Sequence, residues 1–204
     1  MRKIKIGVDI DDTICYLGKF SDDIISEKIK EKLNFREYSY EKRYFFEDGT
    51  SVPIEKILDI IYNDLDWLKV PVIKDAVKYI KKLQNDGHEI HFITHRSEKY
   101  TPNAKTTTIN YLNKYFDNYR IHFVKNKEII CYNNNIKVMI DNDHRVLEKI
   151  EKYNLLYGGD VTTMFYVGAM PTIKDNKTLR EFKTWKDIYS EITSMCKCKK
   201  EAVK

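Results

Sequence analysis

The sequence predicts an α/β fold with a parallel sheet, helices flanking it, and a small helical cap inserted after the first strand. Three observations support this fold class. Apolar runs of strand length alternate with segments whose apolar residues recur at helical spacing, which is typical of parallel strands joined by helices. The first apolar run, residues 4–8, leads into a cluster of acidic residues. The stretch that follows contains no convincing buried strand, which indicates an insertion.

The insertion covers residues 15–68. Within it, apolar residues recur at helical spacing in two separate stretches, so we expect two helices there. We interpret 15–68 as a helical cap, and 1–14 together with 69–194 as the catalytic core. The remaining residues, 195–204, are rich in lysine and are expected to form a disordered tail.

The core continues the alternation of strands and helices after the cap. One strand-like run ends on Thr94 and another ends on Asp141. The apolar spacing predicts further elements between and beyond them. These are helices at 72–84, 103–116, 145–153 and 184–192, and strands near 121–124 and 164–167.

Composition agrees with one globular enzyme of 204 residues, long enough for a core and a small cap. The net charge of +5 is spread along the chain, which suits a small anionic substrate but is too diffuse to predict nucleic-acid binding. No secretion signal or membrane span is visible, and the four cysteines lack zinc-like spacing. We therefore expect a cytoplasmic protein with reduced thiols.

The acidic cluster after the first strand contains Asp9, Asp11 and Asp12, followed by Thr13. Carboxylates this close raise one another's pKa unless a cation neutralises them, and Mg²⁺ prefers oxygen ligands. In an extended stretch Asp9 and Asp11 would share one face, unless the turn of the loop rotates one of them away. One carboxylate could then attack while the other transfers protons. A solvated acidic loop is the alternative for this segment taken alone.

Three later features support phosphoryl chemistry when they are combined with the acidic cluster. Thr94 ends its strand and could hold a phosphate oxygen, and Lys127 begins a short helical stretch and could supply a cation. The strand ending on Asp141 brings a carboxylate to the same edge of the sheet. Each feature alone is weak, because such residues are common at these positions.

In this order, Asp-x-Asp-x-Thr, a strand ending on threonine, a lysine and a strand ending on aspartate resemble the four motifs of the haloacid dehalogenase (HAD) superfamily. The chain is similar to its 5'(3')-deoxyribonucleotidase and C-type cytosolic 5'-nucleotidase group. The resemblance implies a HAD-like Rossmannoid sheet and Mg²⁺ as cofactor. It implies that Asp9 is the nucleophile and a metal ligand, and that Asp11 is the general acid/base and a ligand through its backbone carbonyl. Thr94 and Lys127 would hold the phosphate, and Asp141 would complete the metal site.

Two positions depart from the family pattern. A second acid usually follows the fourth-motif aspartate, whereas here Asn142 occupies that position and Asp143 comes one residue later. We place Asn142 among the metal ligands, with Asp143 as the alternative. Thr13 and His95 are added as phosphate-binding candidates, although a packing or surface role is the more ordinary one for His95.

The cap carries aromatic residues that could determine specificity. Tyr16, near its start, and the consecutive Tyr44, Phe45 and Phe46 could present ring faces on which a nucleobase stacks. The alternative is that these rings bury the cap against the core. A cap that closes would shelter a reactive intermediate from water and recognise the leaving group.

The expected activity is Mg²⁺-dependent hydrolysis of (deoxy)nucleoside monophosphates through an aspartyl-phosphate. The first alternative is the same chemistry on another small phosphorylated metabolite or on a nucleic-acid end. The second is a binding protein that keeps the fold but turns over poorly, suggested by Asn142. Asp11 argues against carbon–halogen cleavage, because related dehalogenases lack an acid two residues after the nucleophile. The sequence leaves open whether the chain forms a homodimer.

Overall fold

The computed structural model describes residues 2–29, 34–35, 44–63, 65–99, 102–169 and 179–198. The strands in this part of the chain are β1 (Lys5–Val8), β2 (Asn34–Phe35), β3 (Tyr44–Phe45), β4 (Glu89–Thr94), β5 (Arg120–Phe123), β6 (Val138–Asp141), β7 (Thr162–Tyr166) and β8 (Glu181–Phe182). Six of them form one parallel sheet in the order β5-β4-β1-β6-β7-β8. The carboxyl end of β1 therefore lies in the middle of the sheet.

The helices in this part of the chain are α1 (Leu17–Ile29), α2 (Ile54–Asn63), α3 (Lys74–Asn85), α4 (Ala104–Asn113), α5 (Lys127–Asn133), α6 (His144–Tyr157) and α7 (Trp185–Cys198). Of these, α3 to α7 pack on the two faces of the sheet. Ile140 of β6 belongs to a buried cluster that includes residues of α3, α4 and α7. The adjacent Met139 belongs to a second cluster with residues of α5 and α6. Because neighbouring strand residues face opposite sides, the two clusters cover the two faces, and the predicted fold class is confirmed.

The centre of β1 requires glycine. Gly7 pairs in register with His91 of β4 and with Met139 of β6. A Cβ atom at this position would lie 2.7 Å from Met139 Sδ and 3.0 Å from Ile93 Cδ1. A larger residue would displace these buried side chains, and with them the strand that carries Asp9.

The segment between β1 and α3 builds a small apolar cluster of its own. Its buried members come from α1, β3, α2 and the turn between the last two: Ile25, Ile29, Tyr44, Val52, Ile57 and Ile60. Two short strands, β2 and β3, pair antiparallel within it, although the sequence indicated helices only. A two-residue strand is too short to show the alternation by which strands are recognised.

Two helices extend further than their apolar spacing predicts. The first, α6, continues past residue 153 to Tyr157, and the following Gly158 caps it in a left-handed conformation with φ of +70°. The second, α7, continues to Cys198, and Cys196 is buried in the main cluster. The expectation of a disordered tail was therefore wrong for 195–198, while 199–204 lie outside the described residues. None of the helices in the described part of the chain is long and apolar enough to cross a membrane.

Candidate active site

A tight loop after β1 places Asp9 at the carboxyl edge of the sheet. The Asp9 N–H donates to Ile140 O at 2.9 Å, which ties the start of the loop to β6. Asp12 adopts a left-handed conformation with φ of 52°, which aspartate tolerates better than most residues. The Asp12 carboxylate accepts a hydrogen bond from the N–H of Gly18 at 2.8 Å. The acidic residues thus have different tasks, and that of Asp12 is to connect the loop to α1.

Thr13 joins this loop to its surroundings. Its Oγ1 lies 3.3 Å from Asp9 Oδ2 and 3.3 Å from Asn142 Oδ1. The indole N–H of Trp185, at the start of α7, donates to Thr13 O at 3.0 Å. Thr13 is fully buried, and its hydroxyl proton can be donated to one of these two oxygens at a time. Its phosphate-binding role remains a prediction.

Lys127 connects two buried carboxylates. Its Nζ lies 2.5 Å from Asp9 Oδ1 and 2.8 Å from Asp141 Oδ2. Asp9 follows β1, Asp141 ends β6, and Lys127 begins α5, so neighbouring parallel strands bring together residues that are far apart in sequence. All three side chains are at least nine-tenths buried. The structure thus brings the three side chains together, and their roles as nucleophile, phosphate ligand and metal ligand remain predictions.

Burial and charge shift the pKa values of this triad strongly. Burial raises the pKa of Asp9 to about 7, with Lys127 opposing the shift and Asp141 and Asp11 adding to it. Burial likewise raises the pKa of Asp141. Burial alone would lower the pKa of Lys127, but the carboxylates of Asp141 and Asp9 outweigh it and raise that pKa above its ordinary value. The site therefore holds a permanent positive charge between two carboxylates that need a cation.

The structure distinguishes Asn142 from Asp143. The Asn142 oxygen faces the Thr13 hydroxyl, next to Asp9. Asp143 instead caps α6 by accepting from the N–H of Arg145 at 3.0 Å, and it forms an ion pair with the Arg145 guanidinium at 2.9 Å. Burial would raise the pKa of Asp143, but its hydrogen bonds and ion pair with Arg145 lower it. Asn142 is thus the better placed of the two to join the site.

Asp11 pairs with an arginine that sequence reasoning left without a role. The Nε of Arg96 lies 3.1 and 3.2 Å from the two carboxylate oxygens of Asp11, and one terminal nitrogen lies 2.6 Å from Oδ1. Arg96 is buried although its sequence position, two residues after β4, is in a loop. The sequence feature that could have identified Arg96 as a site residue is its position just after the carboxyl end of β4, the neighbour of β1.

Thr94 and His95 lie at the end of β4, beside β1. Thr94 is buried, and its Oγ1 accepts a hydrogen bond from the N–H of Arg96 at 3.2 Å. His95 is exposed at the same edge, and its ring bonds to the backbone of Lys125, just before α5. The charge of Lys127 acts on the His95 ring, and the phosphate contacts of Thr94 and His95 remain predictions.

The aromatic residues predicted to stack on a base are largely used in packing. Tyr44 is buried in the cluster of the inserted segment, and its hydroxyl donates to Asp22 Oδ1 at 2.5 Å. Phe45 is also buried, and Phe46 packs against the same cluster. Tyr16 is half-buried against the main cluster. Tyr44 and Phe45 are therefore buried, as in the packing alternative, but Tyr44 packs within the inserted segment and not against the core. Buried ring faces are closed to a base.

The residues at this edge suit a hard divalent cation. Asp9 and Asp141 offer carboxylate oxygens and Asn142 an amide oxygen, which are donors that Mg²⁺ prefers. Among the described residues, no group of three or more His, Cys, Asp or Glu side chains lies in an arrangement that could hold a metal ion. Only two of the four predicted ligands are carboxylates; the others are Asn142 and the backbone carbonyl of Asp11. The donor chemistry, although not a complete cage, therefore fits Mg²⁺.

Solved structures share this architecture over nearly their whole length. A candidate phosphoglycolate phosphatase from Lactobacillus delbrueckii subsp. bulgaricus is similar with a TM-score of 0.60 and 12% identity, over 94% of this chain and 99% of the other. A candidate beta-phosphoglucomutase from Thermotoga maritima gives 0.59 and 13%, over 94% and 99%. A candidate HAD-hydrolase from Bacillus subtilis, whose structure is bound to magnesium, gives 0.54 and 14%, over 94% and 99%.

The chain has the haloacid dehalogenase-like fold. No protein-family model matches the sequence, and no curated protein matches it. At these identities the likeness shows the fold alone. The chemistry of this HAD-like chain must therefore be argued from the residues at the carboxyl edge of its sheet.

Proposed function

We propose that this protein is a Mg²⁺-dependent phosphomonoesterase that forms an aspartyl-phosphate on Asp9, with (deoxy)nucleoside monophosphates as the first substrate class. The observation that carries the proposal is the convergence of Asp9, Lys127 and Asp141 within hydrogen-bonding distance at the carboxyl edge of the sheet. The fold shared with candidate phosphatases supports it.

The residues supply the parts that phosphoryl transfer requires. Mg²⁺, held by Asp9, Asp141 and Asn142 with the backbone carbonyl of Asp11, would reduce the repulsion between a carboxylate and a phosphate. Lys127 and the Thr94 hydroxyl bind phosphate oxygens, since positive charge and hydrogen bonds there stabilise the transition state.

Two displacements follow from this arrangement. In the first, an Asp9 oxygen forms a bond to phosphorus and the ester P–O bond breaks, while Asp11 in its protonated form gives its proton to the leaving oxygen and becomes a carboxylate. In the second, water attacks the same phosphorus and gives its proton to Asp11, and phosphate leaves while the Asp9 carboxylate is restored. The Asp11 side chain remains 29% exposed, so a leaving group and a water molecule can both reach it.

The test is phosphate release from a panel of 5'- and 3'-ribo- and deoxyribonucleotides and sugar phosphates, with Mg²⁺ and with EDTA. We expect release only with Mg²⁺, and none from Asp9→Asn, whose amide is a poor nucleophile. The matched control is Asp66→Asn, an exposed aspartate paired with Lys69. Release that persists in EDTA or in Asp9→Asn would contradict the mechanism.

Another small phosphorylated metabolite is the second candidate substrate class. The observation that favours it is the burial of Tyr44 and Phe45, which removes two of the rings proposed to bind a base. Solved structures with this fold include a candidate phosphoglycolate phosphatase and a candidate beta-phosphoglucomutase. Release from sugar phosphates alone would select this candidate over nucleotides.

A further inference from the structure

We propose that Arg96 is a positioning residue that orients the Asp11 carboxylate for proton transfer to the leaving group; this inference rests on the proposed function. The guanidinium approaches both oxygens of Asp11 through Nε and contacts Oδ1 again through a terminal nitrogen. A planar guanidinium with several donors restricts the rotation of a carboxylate in a way that a lysine cannot.

Arg96 is itself held in place from several sides. Its other terminal nitrogen donates to Thr108 Oγ1 at 3.2 Å, and the Thr108 hydroxyl donates to Ala104 O one turn earlier in α4. The guanidinium carbon lies 4.5 Å from the centre of the Trp67 ring, where cation and ring attract each other. Because Arg96 is anchored to a core helix, it can transmit a fixed orientation to Asp11.

The backbone of Arg96 also serves the phosphate side of the site. Its N–H donates to Thr94 Oγ1 at 3.2 Å. The Thr94 hydroxyl thereby accepts from Arg96 and keeps its own proton for another acceptor, such as a phosphate oxygen. Arg96 thus contacts both Asp11, which would protonate the leaving oxygen, and Thr94, which would hold the phosphate.

Orientation of Asp11 matters most when the leaving group needs a proton. An alkyl phosphate releases an alkoxide unless an acid protonates it, whereas p-nitrophenolate leaves without a proton. Misplacement of a general acid should therefore reduce the rate with alkyl esters and spare the aryl ester. This dependence on the leaving group separates positioning from general damage to the site.

The experiment compares kcat/KM for p-nitrophenyl phosphate with kcat/KM for the best alkyl phosphate of the panel. Arg96→Gln is expected to lower the alkyl value by about 10–100-fold and the aryl value by less than about threefold. Arg96→Lys should restore only part of the alkyl rate, since it keeps the charge but loses the planar donor pair. In an Asp11→Asn background, Arg96→Gln should cause no further loss.

Two further variants keep the test decisive. Thr108→Val removes one hydrogen bond of Arg96, together with the bond from Thr108 to Ala104 O, and leaves the contacts of Arg96 with Asp11 and Trp67 in place. It should show a smaller loss confined to the alkyl ester, which tests the inference if Arg96→Gln folds poorly. Arg180→Gln breaks an exposed ion pair with Glu191 at the other edge of the sheet and should leave both rates unchanged.

The outcomes separate this inference from the proposed function. Equal losses on both esters, unchanged rates in Arg96→Gln, or additive losses with Asp11→Asn would overturn the role of Arg96 while the phosphatase stands. Absence of phosphate release by the wild-type protein from every ester would overturn both.

Discussion

The carboxyl edge of the sheet and the inserted segment between β1 and α3 are stabilised in different ways. At the edge, charged side chains are buried, and opposite charges surround them, as in the contacts of Lys127 with Asp9 and Asp141. The inserted segment is held by an apolar cluster with a peripheral contact between Tyr44 and Asp22. Buried charges require rigid placement, whereas apolar contacts tolerate substitution. We therefore predict that substitutions at the sheet edge affect catalysis, whereas those in the apolar cluster of the inserted segment affect stability alone.

Replacement of Lys127 should have the largest effect. Lys127→Met leaves Asp9 and Asp141 buried without their shared cation, so we expect the free energy of unfolding to fall by about 3–5 kcal/mol and activity to be lost. Urea denaturation and phosphate release measure the two effects. Lys69→Met, in an exposed ion pair with Asp66, should change stability by less than about 1 kcal/mol. Similar losses of unfolding free energy and activity in both variants would contradict the expectation that the buried ion pairs at the carboxyl edge matter more than an exposed one.

Removal of one predicted metal ligand should change the Mg²⁺ requirement. In Asp141→Asn, the Mg²⁺ concentration for half-maximal activity should rise at least about tenfold, because a charged oxygen donor is lost. Asp143→Asn should change it far less, since Asp143 caps α6 and pairs with Arg145. Titration of activity with Mg²⁺ makes the comparison. A larger rise in Asp143→Asn would assign the ligand to Asp143 instead of Asn142.

A substitution in the inserted segment should lower the free energy of unfolding and leave the catalytic constants unchanged. Tyr44→Phe removes the hydroxyl that contacts Asp22, so we expect a loss of about 1 kcal/mol in unfolding free energy with kcat and KM unchanged. Thermal unfolding and steady-state kinetics test this. A raised KM for nucleotides at unchanged stability would instead indicate that Tyr44 binds substrate.

The smallest expected effect is a dependence of stability on pH at the β4–β5 edge. His91 and His122 stack there, with His91 Nδ1 3.0 Å from His122 Nε2 and His91 Nε2 3.0 Å from Glu89. Burial lowers the pKa of both histidines below 6.5. The unfolded chain therefore binds protons first, and the stability of this pair is complete above pH 6.5 and falls below it. Urea midpoints between pH 7.5 and 5.5 should fall less steeply in His91→Gln; an identical slope would contradict this.

Much of the fold follows from local sequence. The apolar strand before Asp9 and the strands ending on Thr94 and Asp141 are recognisable because continuous apolar runs suit buried parallel strands. The short β2, β3 and β8 are different: a two-residue strand has no period of its own and forms only where a neighbouring strand pairs with it. The end of α7 was also underestimated, since burial of Cys196 depends on contact with the core.

In the site, too, some features can be predicted from local sequence and others depend on tertiary contacts. Asp9, Asp11, Thr94, Lys127 and Asp141 could be selected from sequence because each stands at the end of a strand or the start of a helix, where parallel topology brings residues together. The ion pair between Asp11 and Arg96 could not be predicted from sequence. It depends on the path of the loop after β4 and on the hydrogen bond between Arg96 and Thr108. The packing of Tyr44 likewise depends on which face of the inserted segment is buried.

The sequence by itself determined the order of the strands and helices and the residue types at the carboxyl edge. Apolar spacing and clustered charges are local features that can be recognised within a few neighbouring positions. Only the tertiary structure decided which charges pair, which aromatic rings are closed to a ligand, and which of Asn142 and Asp143 faces Asp9. The physical reason is that pairing and burial depend on distances across the sheet, and those distances are set by packing between segments that are far apart along the chain.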